Sequence, residues 1–260
     1  MAQLKNNSLI NCYNICLEYH QDKKLTKKVI ENLNLSIREN EIIAIVGKSG
    51  AGKSSLVRIL SGMLKPTSGK LFYKGSAIDG PLENIGMVFQ NFALLPWLNV
   101  LENVLFGADS LGIPRSQSKP KALEIIKKIG LNGFEDAYVS ELSGGMKQRV
   151  GFARALMIEP EILFLDEPFS SLDIVTAKTL RDDIMRLWHT GETKTKAIVL
   201  VIHNIEEAVN MANRVIILDS NPGRIASEKT IELDYPRDLE CDSTRIVIKD
   251  ISSTLHAINQ

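Results

Sequence analysis

Apolar positions near the start of the chain alternate or cluster over short lengths, in LINCYNICLEYH and again in KVIENLNLSI, which predicts two β-strands. The charged stretch between them, DKKLTKK, reads as a solvated hairpin loop. A lipid or nucleic-acid contact is the competing reading, and the run is short and isolated. EIIAIV, Glu41 to Val46, is then continuously apolar after its first residue and stops at Gly47, as a buried parallel strand does. KSSLVRILSGML follows with Leu56, Ile59, Leu60 and Met63 on one helical face.

Between Pro114 and Pro160 the period becomes helical. Pro120 suits a first helical turn, Ala122, Leu123, Ile125, Ile126 and Ile129 recur at helical spacing, and Gly130 is a natural stop. A second helix is expected from Ser143 through Arg149, Ala153 and Leu156 to Pro160. Buried strands return at ILFLD and AIVLVIH, separated by the helical TAKTLRDDIMRLWH. Asn204, with Glu207 three residues on, opens a further helix in the manner of a capping box. VIIL, a turn at Asn221-Pro222-Gly223 and a short helical tail complete the pattern. Strand and helix alternating around an all-helical insert define an α/β core with a helical lobe.

Composition changes this picture little. Of 260 residues 44% are apolar and 24% charged, an ordinary globular balance. Lys plus Arg equals Asp plus Glu at 31 each, so no net charge favours nucleic acid or an anionic lipid surface. Runs such as Ala197 to Ile202 fall far short of the roughly 20 apolar residues that cross a bilayer. The opening residues lack the apolar core of a signal peptide. Cys12, Cys16 and Cys241 have no metal-ligand or redox spacing, which suits reduced thiols in a reducing cytoplasm.

The chemistry lies in the glycine-rich segments. Gly47-Lys48-Ser49-Gly50-Ala51-Gly52-Lys53-Ser54 fits the pattern G-x-x-x-x-G-K-[ST] in full, between a strand and a helix. Its glycines let backbone N–H groups face phosphate oxygens, and the following helix adds its unpaired amides. Lys53 brings charge to the β- and γ-phosphates, and the Ser54 hydroxyl suits Mg²⁺. A merely flexible Gly/Ser loop is the alternative, and the flanking elements speak against it. Asp166 ends an apolar strand, where open α/β sheets hold ligands, and Glu167 beside it suits a proton acceptor for water. Two acids after a strand say little alone and much beside a P-loop. Leu142-Ser143-Gly144-Gly145-Met146 opens the second helix of the insert. An ordinary cap explains Ser143 and explains less well two consecutive glycines.

The set GKSGAGKS, Gln90 in VFQN, LSGGMKQR, ILFLDEP, SSLD and His203 resembles the nucleotide-binding subunits of ATP-binding-cassette (ABC) transporters, from about Ile10 to Arg224. The resemblance implies a P-loop NTPase (RecA-like) α/β core over 1–230, with an N-terminal antiparallel β subdomain and an inserted α-helical subdomain at about 91–158. A tail, 231–260, follows. It implies ATP and Mg²⁺ as cofactors, Tyr19 as the aromatic on adenine, and 47–55, Ser55 included, as the phosphate loop. Ser54, Gln90 and Asp166 would hold the metal. Glu167 would be the catalytic base, and Gln90 and His203 would contact the attacking water and γ-phosphate. Asp173 would lie at a dimer interface, where Ser143, Gly144 and Gly145 close over the ATP of a second copy in a head-to-tail dimer. For Tyr19 and His203 the plainer readings are a strand aromatic and a structural histidine.

LLPWLNVLENVLFG, HNIEEAVNMANRVIIL and NPGRI are similar to the nitrate/sulfonate/taurine/bicarbonate branch of bacterial importers. That implies integral membrane permease subunits, a substrate-binding protein and a peripheral place on the cytoplasmic face of the inner membrane, with no nucleic-acid partner. Trp97 is either an exposed anchor for the permease or packed in the helical lobe. Asn204 replaces a commoner aspartate and Ser55 a commoner threonine. A soluble non-transport ABC ATPase and an ATP-gated regulatory module are the rival functions. Neither two cassettes nor a long coiled coil is present, and both Glu167 and His203 are.

Overall fold

The computed structural model describes residues 7–21 and 25–258, so Asp22, Lys23 and Lys24 of the expected hairpin loop lie outside the described residues. The chain divides into two compact units, 1–83 with 196–260, and 84–195.

In the first unit the two predicted strands form a long antiparallel pair, β1 (Ser8–Gln21) and β2 (Leu25–Arg38). Leu25 to Lys28, read as loop, belong to β2. Strand β3 (Glu41–Gly47) is buried from Glu41 to Val46. Helix α1 (Lys53–Leu60) buries Leu56, Val57, Ile59 and Leu60. It ends earlier than its apolar stripe suggests. Gly62 turns the chain at φ +74, with the Gly80 carbonyl 2.1 Å from where a Cβ would stand, and Met63 lies beyond the helix, 47% exposed. Strands β4 (Ser68–Tyr73) and β5 (Ser76–Ala77) extend the antiparallel sheet in the order β2-β1-β4-β5.

The second unit begins with β6 (Ile85–Val88), followed by α2 (Val100–Ser110), α3 (Arg115–Lys128) and α4 (Gly144–Met157). Pro120 is six residues into α3, not in its first turn, because Pro114 already takes the N-cap position. Strand β7 (Ile162–Asp166) pairs in parallel with β6 and is buried throughout. Helix α5 (Ile174–His189) completes the unit.

The chain then returns to the first unit with β8 (Ala197–Val201), α6 (Ile205–Met211), β9 (Arg214–Leu218), β10 (Ile225–Thr230) and α7 (Asp242–Ile258). Strand β3 runs parallel between β8 and β9, and β10 closes on β9 antiparallel. The core sits here: every residue of β8 and β9 is buried, as is most of β3. No helix among the described residues is long and apolar enough to cross a membrane.

One ion pair lies inside this apolar layer. Glu41 opens β3 and Arg214 opens β9, 2.9 Å apart, with side chains 9% and 8% exposed. Arg214 also donates to the Ser36 carbonyl of β2, and Glu41 accepts from the Arg38 amide at 2.9 Å. The pair therefore ties the end of β2 to the starts of β3 and β9. Removing one partner of such a pair strands the other in a medium that cannot solvate it. Arg214→Met is expected to cost about 3–5 kcal/mol, read as a lowered midpoint in chemical denaturation. The Arg214→Met/Glu41→Leu double variant should recover most of that loss.

Candidate active site

The loop between β3 and α1 is closely approached by neighbouring residues at Gly47 and Gly52, while Gly50 between them is open. A Cβ on Gly47 would stand 2.6 Å from the Leu218 carbonyl oxygen of β9. Gly50 and Gly52 have φ of +82 and +86, a region open to glycine. Gly52 is the N-cap of α1 and brings no side chain to the first-turn amides, which leaves that end suited to an anion. Lys53 is 4% exposed. Its ammonium donates to the carbonyls of Gly47 and Lys48, both at 2.9 Å, and so folds back across the loop. Lys48, Ser49 and Ala51 lie in the turn itself, and Ser54 and Ser55 in the first turn of α1.

The turn expected at Asn221-Pro222-Gly223, within NPGRI, has a structural task. Gly223 donates to the Val29 carbonyl at 2.8 Å, and its own carbonyl accepts from Glu31 at 3.0 Å. A Cβ there would lie 2.3 Å from the Ala51 carbonyl of the phosphate loop. Val29 and Ile30 lie against Gly52 as well, 3.2 Å from its Cβ position. Arg224 pairs with Glu31, its Nε donating at 2.9 Å, and Lys28 reaches the same carboxylate at 2.8 Å. Lys28 and then Arg224 hold the Glu31 carboxyl down to about 2, from an ordinary 4.5. The contribution of this latch is complete above pH 4.5 and fades only as pH falls through about 2.

Two more predicted residues lie in this unit. Val201 of β8 is in register with Ile45 of β3, and Ile202 donates to the Ile45 carbonyl at 3.2 Å. His203 thus emerges beside the strand that feeds the phosphate loop. Tyr19 is 45% exposed on β1, opposite Lys27 and two positions along from the Val29–Ile30 stretch that meets Gly52.

The second unit gathers the remaining residues. Asp166, 4% exposed, ends β7, and Glu167 follows at φ +51, a left-handed conformation that costs a non-glycine residue energy. Ser170 steadies that turn, its hydroxyl and amide donating to the Glu167 carbonyl at 3.0 and 3.3 Å. Gln90, two residues past β6, donates from Nε2 to the Glu167 carboxylate at 2.7 Å. Past Gln90, Phe92 and Ala93 both have positive φ, and Arg154 of α4 donates to their carbonyls at 3.1 and 2.6 Å. Asn103 of α2, wholly buried, accepts from the Leu95 amide and donates to the carbonyls of Leu95, Leu98 and Asn99. Trp97 is left 69% exposed on this fixed loop, so it does not pack in the lobe.

Ser143 caps α4, its hydroxyl accepting from the Met146 amide at 3.3 Å, and a capping hydroxyl keeps its proton to donate elsewhere. Gly145 has a more local cause than anion contact: a Cβ there would meet the Thr176 methyl at 2.3 Å. Gly144 has only the Ser171 carbonyl, at 3.9 Å. Thr176 in turn is held by Asp173, which accepts from its hydroxyl at 2.6 Å and its amide at 3.0 Å. These bonds, the hydroxyl's foremost, lower the Asp173 carboxyl below its ordinary range. Arg149 of α4 donates to the Ile129 carbonyl at 2.6 Å and pairs with Asp183 of α5 at 2.5 Å. Thus α4 meets α5 at two levels, Gly145 against Thr176 near the helix starts and Arg149 on Asp183 further along.

A glycine cradle between a parallel strand and a helix, with an acid at the end of another such strand, defines a P-loop nucleotide hydrolase. Comparison with known proteins narrows the class. Residues 30–170 match the family described as ABC transporter. An uncharacterised ABC transporter ATP-binding protein of Methanocaldococcus jannaschii is 43% identical over 211 residues, 81% of this chain and 78% of its own. The taurine import ATP-binding protein TauB of Pseudomonas syringae pv. tomato is 41% identical over 221 residues, 85% and 83% of the two chains. A solved dimeric ATP-binding cassette, in a post-hydrolysis state bound to ADP and Pi, superposes with a TM-score of 0.76 at 29% identity, over 86% of this chain and all of its own. The chain belongs to the ABC transporter family and is an ATP-binding ATPase subunit of it.

The Gly145–Thr176 contact yields a test within one chain. Gly145→Ala should lower ATPase activity and thermal stability together, because the Thr176 methyl must move. Adding Thr176→Ser, which removes that methyl and keeps the hydroxyl for Asp173, should restore most of the stability. Additive losses in the double variant would show that the methyl is not the obstacle.

Proposed function

We propose that this chain is the ATPase of a bacterial importer for a small anion or small organic compound of the nitrate, sulfonate, taurine or bicarbonate kind. It works as a head-to-tail dimer with integral membrane permease subunits and a substrate-binding protein, at the cytoplasmic face of the inner membrane. The observation that carries the reading is 41% identity to a taurine import ATPase over 85% of the chain. The exposed Trp97 supports a permease partner, since a tryptophan held rigidly in water is a strong anchor. Ile174 and Val175, 88% and 74% exposed just after Asp173, support a second copy as partner, and the solved neighbours are dimeric.

The residues take these roles. Backbone amides of 47–55 and the Lys53 ammonium bind the phosphates, the ammonium exchanging its two loop carbonyls for phosphate oxygens. Tyr19 stacks on adenine. Ser54 hydroxyl, Asp166 carboxylate and Gln90 carbonyl are hard oxygen donors that fit Mg²⁺; when bound it neutralises charge developing on the phosphates. Glu167 accepts the proton of the attacking water, and its bond from Gln90 fixes the carboxylate for that step. His203 holds the γ-phosphate. Ser143, Gly144 and Gly145 close over the ATP of the second copy. ATP thereby favours the closed dimer, and hydrolysis releases it.

Glu167→Gln keeps the hydrogen-bonding shape and removes the base. It should bind ATP with near-parental affinity, lower kcat by about 10²- to 10⁴-fold, and elute as an ATP-dependent dimer in size exclusion. Hydrolysis at the parental rate would remove Glu167 from the role. Coexpressed with its permease, the parental chain should copurify with it, and Trp97→Ala should weaken that association by about tenfold or more. Intact association in Trp97→Ala would place the anchor elsewhere.

A further inference from the structure

The segment after β10 takes no part in the reading above, yet it reaches back to the helix that follows His203. Arg237 is 9% exposed. Its guanidinium donates to three main-chain carbonyls: Val209 at 2.5 Å, Ala212 at 2.6 Å and Leu233 at 2.9 Å. Val209 and Ala212 belong to the last turn and C-cap of α6. The carbonyls of a helix C-terminus lack intrahelical partners and carry its partial negative charge, so a cation is well placed there. The Asn210 amide answers by donating to the Arg237 carbonyl at 3.3 Å.

Helix α6 depends on such ties because it has only seven residues. Two turns of helix do not persist in water on their own. Its first end is tied by Asn204, whose side chain accepts from Glu206 at 2.8 Å and Glu207 at 3.3 Å. Its exit is pinned to the start of β3, where Asn213 and Ile42 exchange bonds at 2.8 and 2.9 Å. Asn204 directly follows His203. Fraying from the carbonyl end has two turns to travel before it loosens the cap and the histidine before it.

We propose that Arg237 is a positioning residue for ATP hydrolysis: by tying off the carbonyl end of α6, the C-terminal segment holds His203 in place beside β3. This rests on the reading of His203 as a γ-phosphate contact. Arg237 touches no reacting atom, and its effect passes through α6.

The test is steady-state ATPase kinetics on the full chain, with ATP affinity measured separately by a fluorescent nucleotide. Arg237→Met should lower kcat by about 10- to 100-fold, as for a misplaced catalytic group, with KM for ATP within about threefold of the parent. Arg237→Lys should recover part of the rate. Since Arg237 acts through His203, His203→Ala/Arg237→Met should be no slower than His203→Ala alone. A folded Arg237→Met protein with parental kcat, or losses that multiply in the double variant, overturns the positioning role. If Arg237→Met does not fold, Arg237→Lys carries the same comparison, because one ammonium cannot span the three carbonyls; an unchanged kcat there overturns the role equally. His203→Ala turning over at the parental rate would instead refute the reading of His203, a different signature from an inactive His203→Ala beside an active Arg237→Met.

Discussion

Absence of space around the phosphate loop governs the first unit. Leu218 approaches Gly47, Val29 and Ile30 approach Gly52, and Gly223 approaches Ala51, in each case backbone or short side chain where a Cβ would stand. A loop of glycines left to itself samples many conformations, and ordering it costs entropy. Here the neighbours of Gly47 and Gly52 remove alternatives at both ends of the loop, and Gly50 between them stays open. Much of the first unit's sequence follows from this. It explains glycines at 47, 52 and 223, the doubly paired Glu31 on β2, and the antiparallel closure of β10 on β9 that brings Gly223 to the loop.

In the second unit the same economy of motion is achieved with side chains. Glu167 sits in a left-handed conformation and is bonded by Gln90. The chain after Gln90 twists through two further left-handed residues and would be costly to hold without Arg154 and Asn103. The segment that carries Trp97 is therefore an ordered platform, joined through Arg154 to the helix that Ser143 caps. Arg154 makes that join through hydrogen bonds of 2.6 and 3.1 Å to the Ala93 and Phe92 carbonyls.

The strands of the core were legible because burial on both faces leaves an unbroken apolar run, as in β3, β7 and β8. The glycine cradle was legible because spacing alone defines it. Boundaries failed where tertiary contact decides: Met63 fits the stripe of α1, yet Gly62 has already turned against Gly80. Pro120 suits a helix start in the local pattern, which does not show that Pro114 takes the cap position. Helix α2 has little periodicity to mark it, although Asn99 and Glu102 form a capping box, a three-residue spacing visible in the sequence. Strands β5 and β6, of two and four residues, are too short for a period to show, and β4 buries only Leu71. In the site, the cradle and the acids after β7 could be read, whereas Gly145's contact with Thr176, Gly223's with Ala51 and Arg237's with α6 join residues far apart in sequence. Local patterns hold no trace of such pairs.

The fit of Gly145 against Thr176 also limits how sequences of this kind diverge. Position 176 is free to shrink, because a smaller residue leaves a gap of one methyl and nothing collides. At position 145 a Cβ collides with the threonine methyl, so alanine there is costly while that methyl remains. The two sites therefore drift most easily in one order: a lineage acquires alanine at 145 at least cost once it has lost bulk at 176.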